Sequence, residues 1–326
     1  MNPAVHPPPL DSAIIPAAAG ARPSQVLITG ATGFVGRALV ARLLQDGAAL
    51  IVLSRDVSRA RARFGEAVTV VDRLDALPAD TRIDAVVNLA GARVLGPPWT
   101  AARRKVLLDS RVQVTAAVIA LMQRLERKPA VLVGASAVGY YGDGGDAAHP
   151  PRTEGSPPRP GQFASDLCVA VEREALRAQA LGVRVVPLRF GVVMGRGDGA
   201  FPMLALSARM GLGAVLGSGR QPAPWIHLED VVGLIRFALA QPALSGPVNA
   251  TAPETPTQAG FTRALAACYR RRVYLRVPAP LLRLAGGEMA GLLLDGENVV
   301  PQAASAAGYV FRFPTVELAL RDLTAR

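Results

Sequence analysis

Three glycines spaced three residues apart, Gly30, Gly33 and Gly36, carry the plainest chemistry in this sequence. They follow the short apolar run 26–28. They precede a stretch whose apolar residues (Val35, Leu39, Val40, Leu43, Leu44) recur at helical spacing and stop near Gly47. A strand, a tight turn and a helix in that order bring the backbone of Gly30, Thr32, Gly33, Phe34, Val35 and Gly36 against one anion. The first glycine permits the turn, the second lets a diphosphate approach the backbone, and the third lets the helix pack closely on the strand. The helix N-terminus adds free amides and a partial positive charge. The competing reading is a strand–helix turn that binds nothing. Its place at the head of a βαβ pattern favours a dinucleotide.

Two further groups of residues could do chemistry. The second strand, Ala49–Leu53, ends in Ser54 and Arg55, with Asp56 one step on. A site that selects NAD places an acid at that point for the ribose 2′-hydroxyl. A guanidinium instead matches a 2′-phosphate bidentately, so NADP(H) is the expected cofactor; the alternative is a solvated loop arginine. The strand at 130–136 leads into Ser136, Tyr140 and Tyr141. Open α/β sheets bind ligands at the C-terminal ends of their strands, so these three are the candidate catalytic residues. The alternative is a turn serine with packed tyrosines. Cys168 reads either as a nucleophile or as a packed thiol. His227 is a weaker proton carrier, better placed to cap a helix. No metal site is read.

The elements that must position these residues alternate strand and helix. Further strands are expected at 68–72, with Asp72 facing the adenine, and at 84–91, opening at Gly91 into a loop beneath the nicotinamide ribose. A long helix is expected over 100–125, a Pro/Gly-rich loop over 146–160, a helix over 163–181 and a strand over 183–188. An excursion over the sheet edge fills 195–224, Trp225 to Asp230 lead into a helix ending at Ala240, and a strand returns at 248–250. The remainder reads as a helix (257–269), a strand (273–277), an apolar helix (281–294) and a closing helix. The fold class is α/β: a Rossmann-like doubly wound parallel sheet with a smaller C-terminal α/β substrate domain. The expected divisions are a disordered tail (1–23), a dinucleotide-binding domain (24–193, with 226–252 returning to it) and a substrate domain (194–225 and 253–326).

Composition bounds the partners. Half of the 326 residues are apolar, enough for a sizeable core, and no apolar run approaches the ~20 residues of a membrane span. No membrane partner is expected. The formal charge is +11, yet the basic residues are scattered, and only Lys105 and Lys128 are lysines. That pattern reads as an arginine bias and not as a nucleic-acid surface. The tail lacks the charged start and apolar core of a secretory leader. Two distant cysteines suggest no disulfide framework, so the cytoplasm is the expected compartment.

Taken together, Thr29-Gly30-x-x-Gly33-x-x-Gly36, Asn88-Leu89-Ala90-Gly91, Ser136 with Tyr140, and Trp225-Ile226-His227-Leu228-Glu229-Asp230 resemble the extended short-chain dehydrogenase/reductases. Ser110-Arg111, Gly139-Tyr140-Tyr141-Gly142, Gly191-Val192-Val193, residues 216–221 and residues 246–253 narrow the resemblance to the atypical epimerase-family subgroup. The tail Tyr309-x-Phe311-x-Phe313-Pro314 resembles that subgroup's C-terminal domain. The resemblance spans about residues 25–323. It implies NADP(H) contacts at Ser54, Arg55, Leu89, Ala90, Arg111 and Val193 besides the glycine turn. It also exposes a departure. The family's Tyr-x-x-x-Lys pair, in which the lysine lowers the tyrosine pKa for proton exchange, falls on Ala164 and Cys168. Two hypotheses follow: an NADP(H)-dependent oxidoreductase or epimerase-like enzyme of an unknown small molecule, its proton supplied by Tyr140 or Tyr141 with Ser136, or a non-catalytic NADP(H)-binding sensor or scaffold. Oligomeric state stays open; helices beside the sheet often pair in this superfamily, so a homodimer is one arrangement.

Overall fold

Seven short strands form the central sheet of the computed structural model, which describes residues 23–142 and 150–325. Residues 1–22 of the expected tail and residues 146–149 of the expected loop lie outside the described residues. The strands are β1 (Gln25–Thr29), β2 (Ala49–Leu53), β3 (Val68–Val71), β4 (Ala85–Asn88), β5 (Val131–Ala137), β6 (Arg184–Phe190) and, after three short strands described below, the returning strand Val248–Ala250. Every pair is parallel, in the order returning strand, β6, β5, β4, β1, β2, β3. Val26, Leu27, Ile28, Val86 and Val87 are fully buried. A parallel sheet covered on both faces demands such uninterrupted apolar runs. Chain order reverses between β1 and β4, which opens a crevice at their C-terminal ends.

Helices cover both faces. On one lie α1 (Phe34–Gln45) and the helix Leu228–Ala240, packing Leu39, Val40, Leu43, Val231, Leu234, Ile235 and Phe237 on the sheet. After α2 (Val57–Phe64), the long helix α3 (Ala101–Arg124) and α4 (Phe163–Leu176) cover the other face with Val118, Ile119, Leu121, Met122 and Ala175. By length and composition α3 is apolar enough to cross a membrane, contrary to the sequence expectation. Val118, Ile119, Leu121 and Met122 instead face the sheet, Leu107 packs with Trp99 and Leu167, and Asp109 and Arg111 interrupt its apolar character.

The excursion supplies β7 (Val192–Met194), α5 (Phe201–Arg209), β8 (Ala214–Leu216) and β9 (Trp225–His227). It is followed by α6 (Leu228–Ala240) and β10 (Val248–Ala250), the helix and returning strand already placed. Next come α7 (Gln258–Cys268), β11 (Leu275–Val277), α8 (Ala279–Gly286), α9 (Gly291–Leu294), α10 (Gln302–Ala306) and α11 (Val316–Thr324). β7 pairs with β9 and β8 with β11. A separate core of Phe201, Trp225, Phe261, Leu265, Phe313 and Leu320 joins α5, α7 and α11. The expected helix over 281–294 is broken, because Gly287 adopts φ 55° after α8 and a tight turn precedes α9. The helix expected over 163–181 ends at Leu176 and finishes in a tighter turn before Gly182.

The tail is fastened through Asp230 at the start of α6. Its carboxylate accepts the amides of Arg312 (2.7 Å) and Phe313 (2.9 Å), and the Tyr309 hydroxyl donates to the Asp230 carbonyl (3.0 Å). Tyr309 and Phe311 thereby join the core around α1 and α6, while Phe313 joins the separate one. This accounts for the near-complete burial of α6 on all sides.

Candidate cofactor and active site

The crevice between β1 and β4 is floored by backbone. Gly30 has φ +71°, and a side chain there would stand 2.6 Å from the Leu89 carbonyl group. At Gly36 it would stand 2.3 Å from the Gly30 oxygen, so α1 packs on the turn as closely as the chain allows. Gly33 differs. Beyond the Gly30 oxygen at 3.1 Å, a side chain there would meet nothing. That open side is where a ligand could approach the backbone. Gly33 caps α1 without a side-chain bond, and no acid lies in the first turn. α2, α3, α6, α7 and α11 are each capped by a side chain (Asp56, Thr100, His227, Thr257 and Thr315), whereas α4, α5, α8, α9 and α10, like α1, are not. The α1 amides around Phe34 and Val35 therefore stand ready for an anion.

Beneath the turn, Thr29 donates to Asn88 (2.5 Å), Asn88 donates to Thr115 on α3 (2.9 Å), and the Ala90 amide donates to Thr29 (3.2 Å). This chain fixes the Leu89–Ala90 backbone. Arg111 rises from α3 against Gly91, where a side chain would come within 2.8 Å of the guanidinium carbon. It donates to the carbonyls of Leu107 (3.0 Å) and Ala92 (2.9 Å) and meets no carboxylate among the described residues. Burial pulls its pKa below the usual arginine range. At the end of β2, Ser54 donates to the Asp56 carbonyl and Asp56 caps α2. Arg55 beside them is exposed and makes no ion pair among the described residues. Val193 packs half-buried against the core around α1.

A second set of contacts closes over α1. The loop after β7 lays Gly195 and Gly199 against the Phe34 ring, so that side chains there would overlap it. Asp198 in that loop pairs with Arg37 (3.0 Å) and Arg93 (3.3 Å). No periodicity marks this loop in the sequence; an aspartate between two glycines was the available clue.

At the end of β5 the three candidate residues take different surroundings. Ser136 donates to Glu172 on α4 (2.6 Å). Glu172 is itself clamped by Arg189, at 2.9 Å from Nε and 2.8 Å from the second terminal nitrogen. Both are buried, and a buried charge is tolerable only when paired and hydrogen-bonded. Burial opposes the Arg189 charge, but the bonds to Glu172 outweigh it and hold that pKa above the ordinary range. Glu172 accepts from Arg189 on both oxygens and from the Ser136 hydroxyl, so only the serine's lone pairs remain for a ligand. Tyr141 is fully buried, donates to Asn249 (2.6 Å) and accepts from Arg189 (2.9 Å). Burial pushes its phenol pKa up. Tyr140 is half-buried, with the Arg189 guanidinium stacked 3.4 Å over its ring, and its hydroxyl has no partner among the described residues. The Glu172–Arg189 pair was not singled out as a site from sequence; an arginine inside the apolar strand at 183–188 and its continuation was the signal.

The departure from the Tyr-x-x-x-Lys pattern is physical as well. Ala164 sits against Gly139, which leaves no room for a large side chain between them. Cys168 is buried against the Ala137 carbonyl, and burial, with Glu172 adding to it, pushes its thiol up to about 11. A thiol so protonated is no nucleophile near neutral pH. His227 caps α6 by accepting the Glu229 amide (3.2 Å) and lies against Phe313, far from a proton-carrier's place. Among the described residues no cluster could hold a metal ion.

The model of the NAD dependent epimerase/dehydratase family matches residues 26–250, well over half of the chain. The chain belongs to that family. A second model, a domain of unknown function designated DUF1731, matches residues 277–323, the part of this epimerase-family chain that ends in the Asp230-anchored tail. Relatives include epimerase family protein YfhF of Bacillus subtilis, 35% identical over 92% of this chain and 98% of its own length. Epimerase family protein Mb2239 of Mycobacterium bovis is 39% identical over 92% and 98%. Among solved structures, human epimerase family protein SDR39U1 with NADPH superposes with a TM-score of 0.84 at 32% identity, covering 92% of this chain and 99% of that one. The UDP-glucose 4-epimerase of Thermotoga maritima, at 15% identity and a TM-score of 0.73, shares the fold alone.

Proposed function

We propose that this epimerase-family protein binds NADP(H) and exchanges a hydride with a small-molecule substrate seated above Ser136 and Tyr140. The observation that carries this reading is the uncapped N-terminus of α1 beside the open face of Gly33. The human relative that superposes over 92% of this chain is in complex with NADPH, which supports it. The nicotinamide, when bound, supplies or accepts the hydride. The chain's own residues do the rest. The turn amides at 30–36 hold the diphosphate, and exposed Arg55 grips the 2′-phosphate. Arg111 braces the Gly91 loop through the Ala92 carbonyl. Tyr140 moves the proton at its free hydroxyl, and Ser136, able only to accept, orients a hydroxyl or amine of the substrate.

Ala164 and Cys168 at the usual catalytic positions favour a second reading, a non-catalytic NADP(H) sensor. Calorimetry separates the cofactor claim from the chemistry. NADPH is expected to bind at least tenfold more tightly than NADH, and Arg55→Ala to erase most of that difference, one charge-assisted bidentate contact being worth roughly 10- to 100-fold. No heat with either nucleotide would overturn the proposal. Tight NADPH binding without exchange of a deuterium label from the nicotinamide to any carbonyl compound would select the sensor.

A further inference from the structure

The C-terminal lobe carries an apolar surface that no part of the described chain covers. Along α5, Phe201, Ala205 and Ala208 face the core, while Met203, Leu206 and Met210 point outward, 73%, 57% and 62% exposed. That is a helix with apolar residues on its solvent side, the reverse of the usual pattern. Leu212, Tyr274 and Leu284 extend it, the last 84% exposed. The pieces are contiguous. Arg271 donates to the Arg209 carbonyl at the end of α5 (3.2 Å), β11 pairs with β8, and Gly213 lies beside Val273.

The charge on this surface is largely positive, the acids beside α8, Asp295 and Glu288, being paired with Arg283 and Arg104. Residues 199–228 and 255–287 contain eight arginines and no aspartate or glutamate. Arg209, Arg270, Arg271, Arg272 and Arg276 are all exposed beside the apolar residues. Exposed apolar side chains ringed by arginine match a bilayer's acyl boundary and its phosphate headgroups together. A second copy of the same face would bring arginines against arginines. A nucleic acid would satisfy the charge but offer nothing to Met203 or Leu284.

We propose that this face docks on an anionic lipid bilayer, holding the protein peripherally with no spanning segment. The sequence expectation of no membrane partner rested on the lack of an apolar span, which peripheral docking does not need. The proposal is independent of the cofactor reading.

Flotation of the full chain tests it, with vesicles of equal parts phosphatidylglycerol and phosphatidylcholine against phosphatidylcholine alone. The protein is expected to float with the anionic vesicles only, and to be released when salt rises from about 0.1 M to about 1 M. The triple change Arg270→Ala, Arg271→Ala and Arg272→Ala is expected to weaken partition about 100-fold. Met203→Asp with Leu284→Asp is expected to weaken it at least tenfold. Both alter exposed side chains, and an unchanged melting temperature checks that each still folds. Failure of the wild type to float would overturn the proposal, as would variants that partition like the wild type. So would a wild-type dimer that binds no vesicles and is dispersed by Met203→Asp with Leu284→Asp, which would make the face an interface between copies. Binding to single-stranded RNA without flotation would overturn it too.

Discussion

Tyr141 gives both sides of its hydroxyl to the protein, one to Asn249 and one to Arg189, whereas Tyr140 gives neither. The two tyrosines therefore differ in what they can offer although they are adjacent in sequence: among the described residues only the Tyr140 hydroxyl is left for a ligand. Tyr141→Phe should cost about 1–3 kcal/mol of stability, the range for leaving a buried donor or acceptor unpaired, and leave turnover per folded molecule nearly intact. Tyr140→Phe should leave the melting temperature within about 1 °C and lower turnover of a true substrate roughly 10²- to 10⁴-fold, the usual contribution of a positioned proton donor. Thermal melts and steady-state rates on the same two variants check both halves. Equal losses of activity would remove the distinction. The lysine that ordinarily serves the family's tyrosine has no counterpart on α4. The cation nearest the phenol is instead Arg189, stacked on the ring and pinned by Glu172.

At the scale of elements, the turn between β1 and α1 makes two demands that a single extra methyl group tells apart. Gly33 has φ −73° and ψ 177°, a conformation any residue adopts, and a side chain there would meet only the Gly30 oxygen, at 3.1 Å. Gly33→Ala should therefore fold with a melting temperature close to that of the wild type, yet lose NADPH affinity at least tenfold, because the added carbon occupies the diphosphate's approach. Gly36→Ala drives a carbon to within 2.3 Å of the Gly30 oxygen and 2.7 Å of the Ala31 Cα, both backbone atoms that cannot swing aside. Overpacking of that kind costs about 1–3 kcal/mol or more, so this variant should melt earlier as well as bind poorly. If Gly33→Ala bound NADPH normally, the diphosphate would not lie against that glycine.

Across the whole molecule, the tail is locked onto α6 by two buried titratable neighbours whose pH effects oppose each other. Burial lowers His227 to about 4 from 6.5, against the pull of Asp322, 3.4 Å from its Nε2. A depressed histidine is protonated in the unfolded chain first, so its contribution is present above pH 6.5 and lost as pH falls toward 4. Burial raises Asp230 to about 6 from 3.8, against the donors from Arg312, Phe313 and Tyr309. A raised carboxyl takes up its proton in the folded state first, so it adds stability as pH falls from 6 to 4. The two shifts have opposite signs and each amounts to roughly 3 kcal/mol at its limit. His227→Asn keeps a cap for α6 but removes the side that opposes Asp230. Its stability relative to the wild type, measured by urea unfolding, should rise by about 2–3 kcal/mol between pH 6.5 and 4. A flat difference would mean that His227 is not lowered.

The sequence by itself determined the sheet and the switch-point turn, because both rest on local rules: apolar runs for buried parallel strands, and glycine where backbone must approach backbone. Arg55 and Arg111 could be proposed as cofactor contacts before any fold was known, a guanidinium standing where an acid would select NAD. The broken helix near Gly287 was missed because an apolar run of that length also fits one helix, and only positive φ at a glycine separates the two readings. Tertiary structure alone decided which tyrosine is free, that Ser136 donates to Glu172, that Cys168 is buried, and that Asp198 ties Arg37 to Arg93. Those facts depend on partners far apart in the chain, such as Ser136 with Glu172, Tyr141 with Asn249 and Asp230 with Phe313, and no periodicity records a contact that only packing creates.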